Sequence, residues 1–325
     1  MVTFERPYCA AIHHEPVETP GPGCALVQTL LSAISAGTEL LFYRGQVPAG
    51  MAADASFAEM QGVVAYPIAY GYACVGQVIA VGEPSDEHWL GKRVFAFRPH
   101  ASHFLAPITE LLPLPPGLTP EQAVFLPNME TAVNLVMDGR PLAGERVLIL
   151  GQGVVGLLTT SLLARFPLSK LIAVDAHAPR LALARRMGAH LTLPPDAGEL
   201  AHLDPDLIFE LSSNPAALAA ALEIAGFGAR IVVGSWYGDK PVTLPLGGMF
   251  HRNRIRIISS QVSTLDGSLT NRWSKQRRLE LAWELLRSTP VQELITHRLP
   301  VAEAPAAYAL LDQHPDQAIQ VLFTY

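Results

Sequence analysis

Residues Gly151-Gln152-Gly153-Val154-Val155-Gly156 have the spacing of glycines that lets a backbone close on a pyrophosphate. The first glycine permits a tight turn and the second the approach of the phosphates. The third lets the next helix press on the preceding strand while its N-terminal amides face the anion. The pattern alone is weak, and its surroundings give it a mechanism. An apolar run, Val147-Leu148-Ile149-Leu150, comes before it and a helical run, Leu157 to Phe166, comes after. A second apolar run, Leu171-Ile172-Ala173-Val174, ends on Asp175, about 20 residues past the turn. There a carboxylate accepts from a ribose diol and repels a 2′-phosphate, so the expected cofactor is NAD rather than NADP. Arg180, Ser212 and Gly234 are assigned to the same cofactor site. The bland alternative is a tight glycine turn with an ordinary strand-end aspartate.

These residues need a scaffold, and the chain reads in three pieces. From Ala25 to about Pro116, β-rich runs (Leu26 to Ile34, Val75 to Val81, Arg93 to Phe97) are punctuated by glycines, as in a barrel-like β domain. From about Thr119 to Gln261 strands and helices alternate, which predicts a parallel doubly wound sheet. Helices are expected over Pro179 to Met187 and from Asn214-Pro215 to near Gly226. Strands are expected over Asp206 to Leu211, Arg230 to Gly234 and Ile255 to Ser259. Leu279, Ala282, Trp283 and Leu286 then fall at i, i+3, i+4 and i+7, the spacing of a buried helical stripe.

Composition narrows the class. With 325 residues, half of them hydrophobic and 16% charged, the chain is expected to form two globular domains. No apolar run approaches the roughly 20 residues of a membrane span, and the first 15 residues lack the pattern of a signal peptide, so a cytoplasmic protein is expected. Three scattered cysteines, Cys9, Cys24 and Cys74, fit a reducing compartment and packing roles. A net charge of −6 argues against nucleic acid as a partner.

The order of the pieces resembles the medium-chain dehydrogenase/reductase superfamily over nearly the whole chain. The stretches that carry it, besides the glycine turn, are Ile34-Ser35-Ala36-Gly37-Thr38-Glu39, Gly71-Tyr72-Ala73-Cys74-Val75-Gly76 with Val81-Gly82, and Leu294-Ile295-Thr296-His297-Arg298-Leu299-Pro300. The resemblance implies an α/β chain with a GroES-like β-barrel catalytic domain (1–122 and 273–325) and a Rossmann dinucleotide-binding domain (123–272). It also implies a substrate cleft between them, a small-molecule substrate and a homodimer paired through edge strands. Gly45-Gln46-Val47-Pro48 and Tyr66 to Tyr72 are similar to short, zinc-lacking members such as bacteriochlorophyllide a dehydrogenase, which oxidise a secondary alcohol on a large carboxylated molecule. Asn128-Met129-Glu130-Thr131 and the run from Gly151 to Thr160 differ from that group, so a sister group with another substrate is an equal expectation.

Departures from the superfamily pattern bear on the chemistry. Zinc-dependent members carry cysteine where this chain has Ala36, and histidine and glutamate where it has Tyr72 and Ala73. Their third ligand falls near Pro127 or Asn128. Catalytic zinc needs about three N, S or O ligands, so no zinc is expected. His100 and His103 could instead seat a different metal, act as acids, or simply line a cleft or surface.

Without a Lewis acid, proton transfer falls to side chains. By the resemblance Thr38 is a hydroxyl relay, although it could equally cap the next helix. Tyr72 stands where a zinc-bound histidine would project, as a phenol donor to substrate or as a filler beside the nicotinamide. Glu39 is a candidate base or a carboxylate at a helix start, and Glu130, assigned to substrate binding, carries the same ambiguity. Arg252, Arg254, Arg256, Arg272, Lys275, Arg277 and Arg278 face the single acid Asp266 between His251 and Arg278. Arg252 and Arg272 are therefore candidates for gripping a carboxylated or phosphorylated substrate, against the alternative of a solvated face. The reading is an NAD-dependent, zinc-independent oxidoreductase interconverting a secondary alcohol and a ketone. A quinone or enoyl reductase and a non-catalytic redox sensor are the alternatives.

Overall fold

The computed structural model describes residues 1–48, 50 and 64–325. The chain forms two compact units, Met1–Pro127 with Leu286–Tyr325, and Asn128–Leu285.

The first unit is β-rich. Its elements are β1 (Val2–Arg6), β2 (Cys9–Ile12), β3 (Cys24–Ala33), α1 (Ala36–Arg44), β4 (Cys74–Val81), β5 (Arg93–Ala96), β6 (His103–Pro107), β7 (Leu112–Pro113) and α2 (Pro120–Ala123). Near the chain's end it adds β14 (Ile295–Pro300), α8 (Ala304–Gln313) and β15 (Gln320–Thr324). The large sheet runs β14-β15-β3-β4-β5-β7, and β6 also pairs with β3. The long strand β3 therefore has three partners: Ala25 to Ser32 pair with β4, Cys24 to Gln28 with β6, and Leu31 to Ala33 with β15. One strand bonded to three others folds the sheet around itself, as in the GroES-like barrel. Alternate residues point inward, so Ala25 and Val27 meet Val78, Val94, Ala96 and Ala106 in one core cluster.

The second unit alternates strand and helix. After α3 (Leu126–Gly139) come β8 (Arg146–Leu150), α4 (Val154–Leu163), β9 (Lys170–Val174), α5 (Ala178–Arg186), β10 (Leu191–Leu193), β11 (Leu207–Glu210), α6 (Pro215–Ile224), β12 (Arg230–Val233), β13 (Arg256–Ser259) and α7 (Lys275–Ser288). All the pairs in its six-stranded sheet, ordered β10-β9-β8-β11-β12-β13, are parallel. This is a Rossmann sheet, and its reversal of strand order lies between β8 and β11. β8, β9, β11 and β12 carry buried apolar runs because both of their faces are covered, whereas the edge strand β13 is largely exposed. Leu148 and Leu150 enter one cluster with Ile172, Val174 and Ile208, whereas Val147 and Ile149 enter another with Leu135, Leu171 and Phe209. Each such side chain contributes roughly 1.5–3 kcal/mol when buried. On α7 three members of the expected stripe, Ala282, Trp283 and Leu286, are buried, and the first, Leu279, is half-buried.

Among the described residues, no helix is long and apolar enough to cross a membrane.

Candidate active site

In the second unit, the end of β8 turns into α4 through Gly151, Gln152 and Gly153. Gly151 has φ +94, and a Cβ there would lie 2.6 Å from the Leu211 carbonyl oxygen and from Ser212 Cα. A Cβ on Gly156 would meet the Gly151 carbonyl oxygen at 2.0 Å, so this glycine sets how closely α4 seats on the turn. Gly153 is different: it is the N-cap of α4, and no described atom lies within 4 Å of where its Cβ would be. That open space stands before the free amides of Val154 and Val155, the arrangement that takes a pyrophosphate.

Asp175 follows β9 and is nearly buried. Its Oδ2 accepts the Gln152 N–H at 2.7 Å and its Oδ1 accepts the His177 N–H at 2.8 Å. These two bonds fix the carboxylate against the glycine turn and leave half of its roughly four acceptor positions for a ribose diol. Arg180 Nη1 lies 3.9 Å from Asp175 Oδ2. Gln152 is wholly buried and accepts the Thr160 hydroxyl at 2.9 Å. Ser212 follows β11, and its N–H donates to Glu210 Oε1 at 2.9 Å. A side chain at Gly234 would strike Leu135 and Leu211 at 2.7 Å, which makes it a packing position. These residues fit a bound dinucleotide: the turn amides would hold the pyrophosphate and Asp175 the adenosine ribose.

In the first unit a hydroxyl cluster forms where β3 passes into α1. Ser35 is the N-cap of α1, yet its hydroxyl does not cap the helix. A capping serine contributes about 1 kcal/mol; here that bond is forgone, and Ser35 Oγ is hydrogen-bonded instead to the Tyr72 hydroxyl. Tyr72 also donates to Thr38 Oγ1 at 3.3 Å. All three residues are partly accessible. Thr38 thus meets Tyr72 rather than capping the helix.

Beneath this cluster lies a buried polar network. Glu39 and His100 are completely buried, and Glu39 Oε2 is 3.0 Å from His100 Nε2. The Tyr308 hydroxyl donates to the same oxygen at 2.5 Å, and Glu39 Oε1 accepts the Ser35 N–H at 2.7 Å. His100 Nδ1 is hydrogen-bonded to Ser32 Oγ at 2.7 Å, and Ser32 in turn lies 2.7 Å from the Tyr325 hydroxyl. Burial, followed by the Glu39 charge, pushes the Tyr308 pKa well above the usual tyrosine value, which keeps its hydroxyl a donor. The carboxylate therefore fixes the backbone of the residue whose hydroxyl meets Tyr72.

The other sequence-derived candidates are placed elsewhere. His103 lies on β6 and contacts Ser102 Oγ at 3.2 Å, apart from the Glu39–His100 pair. Glu130 is bound by Arg278, with Nη2 at 2.9 Å and Nε at 3.1 Å from Oε1. Burial pushes the Glu130 pKa up, and the Arg278 charge pulls against it. Arg278 is itself buried and reaches Asn134 Oδ1 at 2.5 Å. It belongs to this internal pair and not to the solvent-facing positive field. Arg252 and Arg272 are exposed. Sequence reasoning missed Ser32, Ser35, Tyr308 and Glu210. Ser35 stood inside the Ile34-to-Glu39 stretch, but the others carry no motif.

Comparisons with known proteins bear on this arrangement. A family profile described as Zinc-binding dehydrogenase matches residues 154–280. The D-guloside 3-dehydrogenase of Escherichia coli K12 is 29% identical over 269 residues, covering 78% of this chain and 77% of that protein. The L-threonine 3-dehydrogenase of Bacillus velezensis is 29% identical over 220 residues, 65% of this chain and 60% of that protein. Among solved structures, the E. coli CFT073 short chain alcohol dehydrogenase rspB, complexed with NADH, superposes with a TM-score of 0.80 at 21% identity. It covers 100% of this chain and 98% of the other. The galactitol-1-phosphate dehydrogenase of E. coli gives 0.78 at 20%, covering 100% and 99%.

The chain shares its fold with these solved dehydrogenases. In this fold the zinc-type relatives raise the question of a metal, and the donor set here answers poorly to one. Among the described residues, no three His, Cys, Asp or Glu side chains gather where they could hold an ion. Tyr72 is engaged with two hydroxyls, and Cys74 is buried with its Sγ on the Arg98 carbonyl oxygen at 3.2 Å. Burial pushes the Cys74 thiol far above its usual pKa, which disfavours the thiolate that zinc requires. The described residues do not assemble a donor set for a catalytic zinc.

Proposed function

We propose that this protein is an NAD-dependent, zinc-independent oxidoreductase that interconverts a secondary alcohol and a ketone. The observation that carries the proposal is the Tyr72–Ser35–Thr38 hydroxyl cluster at the place where zinc-type relatives bind metal, in a chain that also has the glycine turn and Asp175. NAD, when bound, supplies the hydride acceptor at C4 of its nicotinamide. The chain's own residues handle the proton. In the reductive direction Tyr72 donates its hydroxyl hydrogen to the carbonyl oxygen, and the phenolate regains a proton from Ser35 Oγ as Ser35, partly accessible, takes one from solvent. Thr38 Oγ1 holds the phenol's orientation. Purified protein mixed with NADH and a panel of ketones, enones and quinones tests this: oxidation of NADH only by ketones supports it, and turnover only of enones or quinones contradicts it.

Asp175 supports the choice of NAD over NADP. Asp175→Asn keeps an acceptor for the backbone but removes the charge that repels a 2′-phosphate. The ratio of kcat/KM values for NAD and NADP should fall by roughly tenfold, about 1.4 kcal/mol. An unchanged ratio would mean that Asp175 does not choose the cofactor.

The substrate is an anion, carboxylated or phosphorylated, drawn by the exposed cations around Arg252 and Arg272. Its KM is expected to rise as salt increases from low to physiological strength, because exposed charges more than about 8–10 Å apart are then screened. KM should also rise in Arg252→Ala or Arg272→Ala. A KM indifferent to salt and to both replacements removes this part of the proposal. Three free thiols accord with a reducing, cytoplasmic setting.

A further inference from the structure

Glu210, the last residue of β11, is a completely buried acid that the proposed chemistry does not use. Its Oε1 accepts the Ser212 N–H at 2.9 Å and the Ser212 hydroxyl, and its Oε2 accepts the Tyr237 hydroxyl. Three donors aimed at two oxygens fit an ionised carboxylate, and among the described residues no cation pairs with it. Burial, then the neighbouring Glu210, push the Tyr237 pKa upward, which keeps the phenol protonated and donating. An unpaired buried charge costs several kcal/mol. Packing alone does not account for keeping one here.

Its place in the sheet suggests why. β11 lies beside β8 at the reversal of strand order, and a dinucleotide lies across the carboxyl ends of the strands at such a point. Asp175, after β9, marks the adenosine side. The ends of β11 and β12 lie on the other side, where the nicotinamide half belongs. The segment after Glu210 abuts the glycine turn, since a Cβ on Gly151 would lie 2.6 Å from Ser212 Cα. The segment is tied down further by Asn214 N–H donating to Ser212 Oγ at 3.1 Å and Ser213 N–H donating to Ser235 Oγ at 2.9 Å.

Resting on the NAD reading above, we infer that Glu210, clasped by Ser212 and Tyr237, is a positioning residue for the nicotinamide half, and that its charge makes the protein hold NAD⁺ at least as tightly as NADH. The oxidised ring is cationic and the reduced ring is neutral, so a fixed anion attracts only the first.

The test is the dissociation constant of each nucleotide, measured by calorimetry on wild-type protein and on Glu210→Gln. The amide preserves the shape, with its oxygen toward Ser212 and its nitrogen toward the phenol. The NAD⁺ constant should rise by about tenfold, about 1.4 kcal/mol, while the NADH constant moves far less. Tyr237→Phe keeps the charge and should leave the NAD⁺/NADH ratio at its wild-type value. Equal weakening of both nucleotides in Glu210→Gln, or no weakening, overturns the inference. So does a wild-type protein that binds NADH much more tightly than NAD⁺, a result that does not depend on the variant folding. Wild-type protein that binds neither nucleotide overturns the NAD reading itself, a different failure from binding with an unchanged ratio.

Discussion

Tyr72→Phe should lower kcat for the alcohol–ketone pair by about 10²–10⁴-fold, the usual contribution of a positioned acid or base. NADH affinity, measured by fluorescence titration, should stay where it is. The substitution removes one oxygen and leaves the ring, which meets Tyr70 edge-on at 6.2 Å between centroids. It also strands Ser35 and Thr38, whose hydroxyls have Tyr72 as a common partner. If Tyr72 only filled space beside the ring, phenylalanine would serve as well and kcat would barely change. Ser35→Ala should give a smaller loss of the same kind. A substitution that lowered kcat and nucleotide affinity together would point to a disturbed fold instead.

The second large effect is on stability. Glu39→Ala leaves the Tyr308 hydroxyl and His100 Nε2, both wholly buried, and the half-buried Ser35 N–H facing a void. Removing one member of such a buried network costs about 3–5 kcal/mol. At the 2–4 °C per kcal/mol typical of domains of 150–250 residues, Tm should fall by about 10 °C. Glu39→Gln retains one acceptor and the volume, so its loss should be clearly smaller. Thermal unfolding followed by circular dichroism compares the two. Equal, negligible shifts would mean that the network is not holding the barrel core together. Because Glu39 and His100 are wholly buried, the expected catalytic consequence runs through the Ser35 backbone and not through contact with substrate.

The sequence carried much of the fold because its signals were periodic and local. Val147 to Leu150 and Leu171 to Val174 are apolar on every residue, as strands buried on both faces must be, and the glycine turn between β8 and α4 has the spacing that its close contacts demand. Strand ends shifted by a residue or so: Leu26 to Ile34 proved to be Cys24–Ala33, and Asp206 to Leu211 proved to be Leu207–Glu210. Such ends depend on ladder hydrogen bonds, which periodicity does not encode. β15 was not anticipated, since it pairs with β3 near the other end of the chain, and β1 was missed although its partner β2 follows it directly.

The site was legible in kinds of residue but not in their grouping. Glu39 and His100 each stood out alone, yet their pairing spans 61 positions and requires the barrel to close. Tyr308 and Ser32 are ordinary letters in a helix and a strand; only folding brings them to the same carboxylate and imidazole. Glu130 and Arg278 show the reverse effect. Read in sequence, they were a substrate ligand and part of a positive patch, whereas the fold spends each on the other, 148 positions away.

The most direct test of a metal-free nicotinamide enzyme is turnover after the metal has been removed. Protein dialysed exhaustively against a chelator should contain far less than one zinc per chain by elemental analysis, yet still oxidise NADH with its ketone substrate at the undialysed rate. Stoichiometric zinc in the purified protein, with activity that disappears on chelation and returns on adding zinc, would contradict the account.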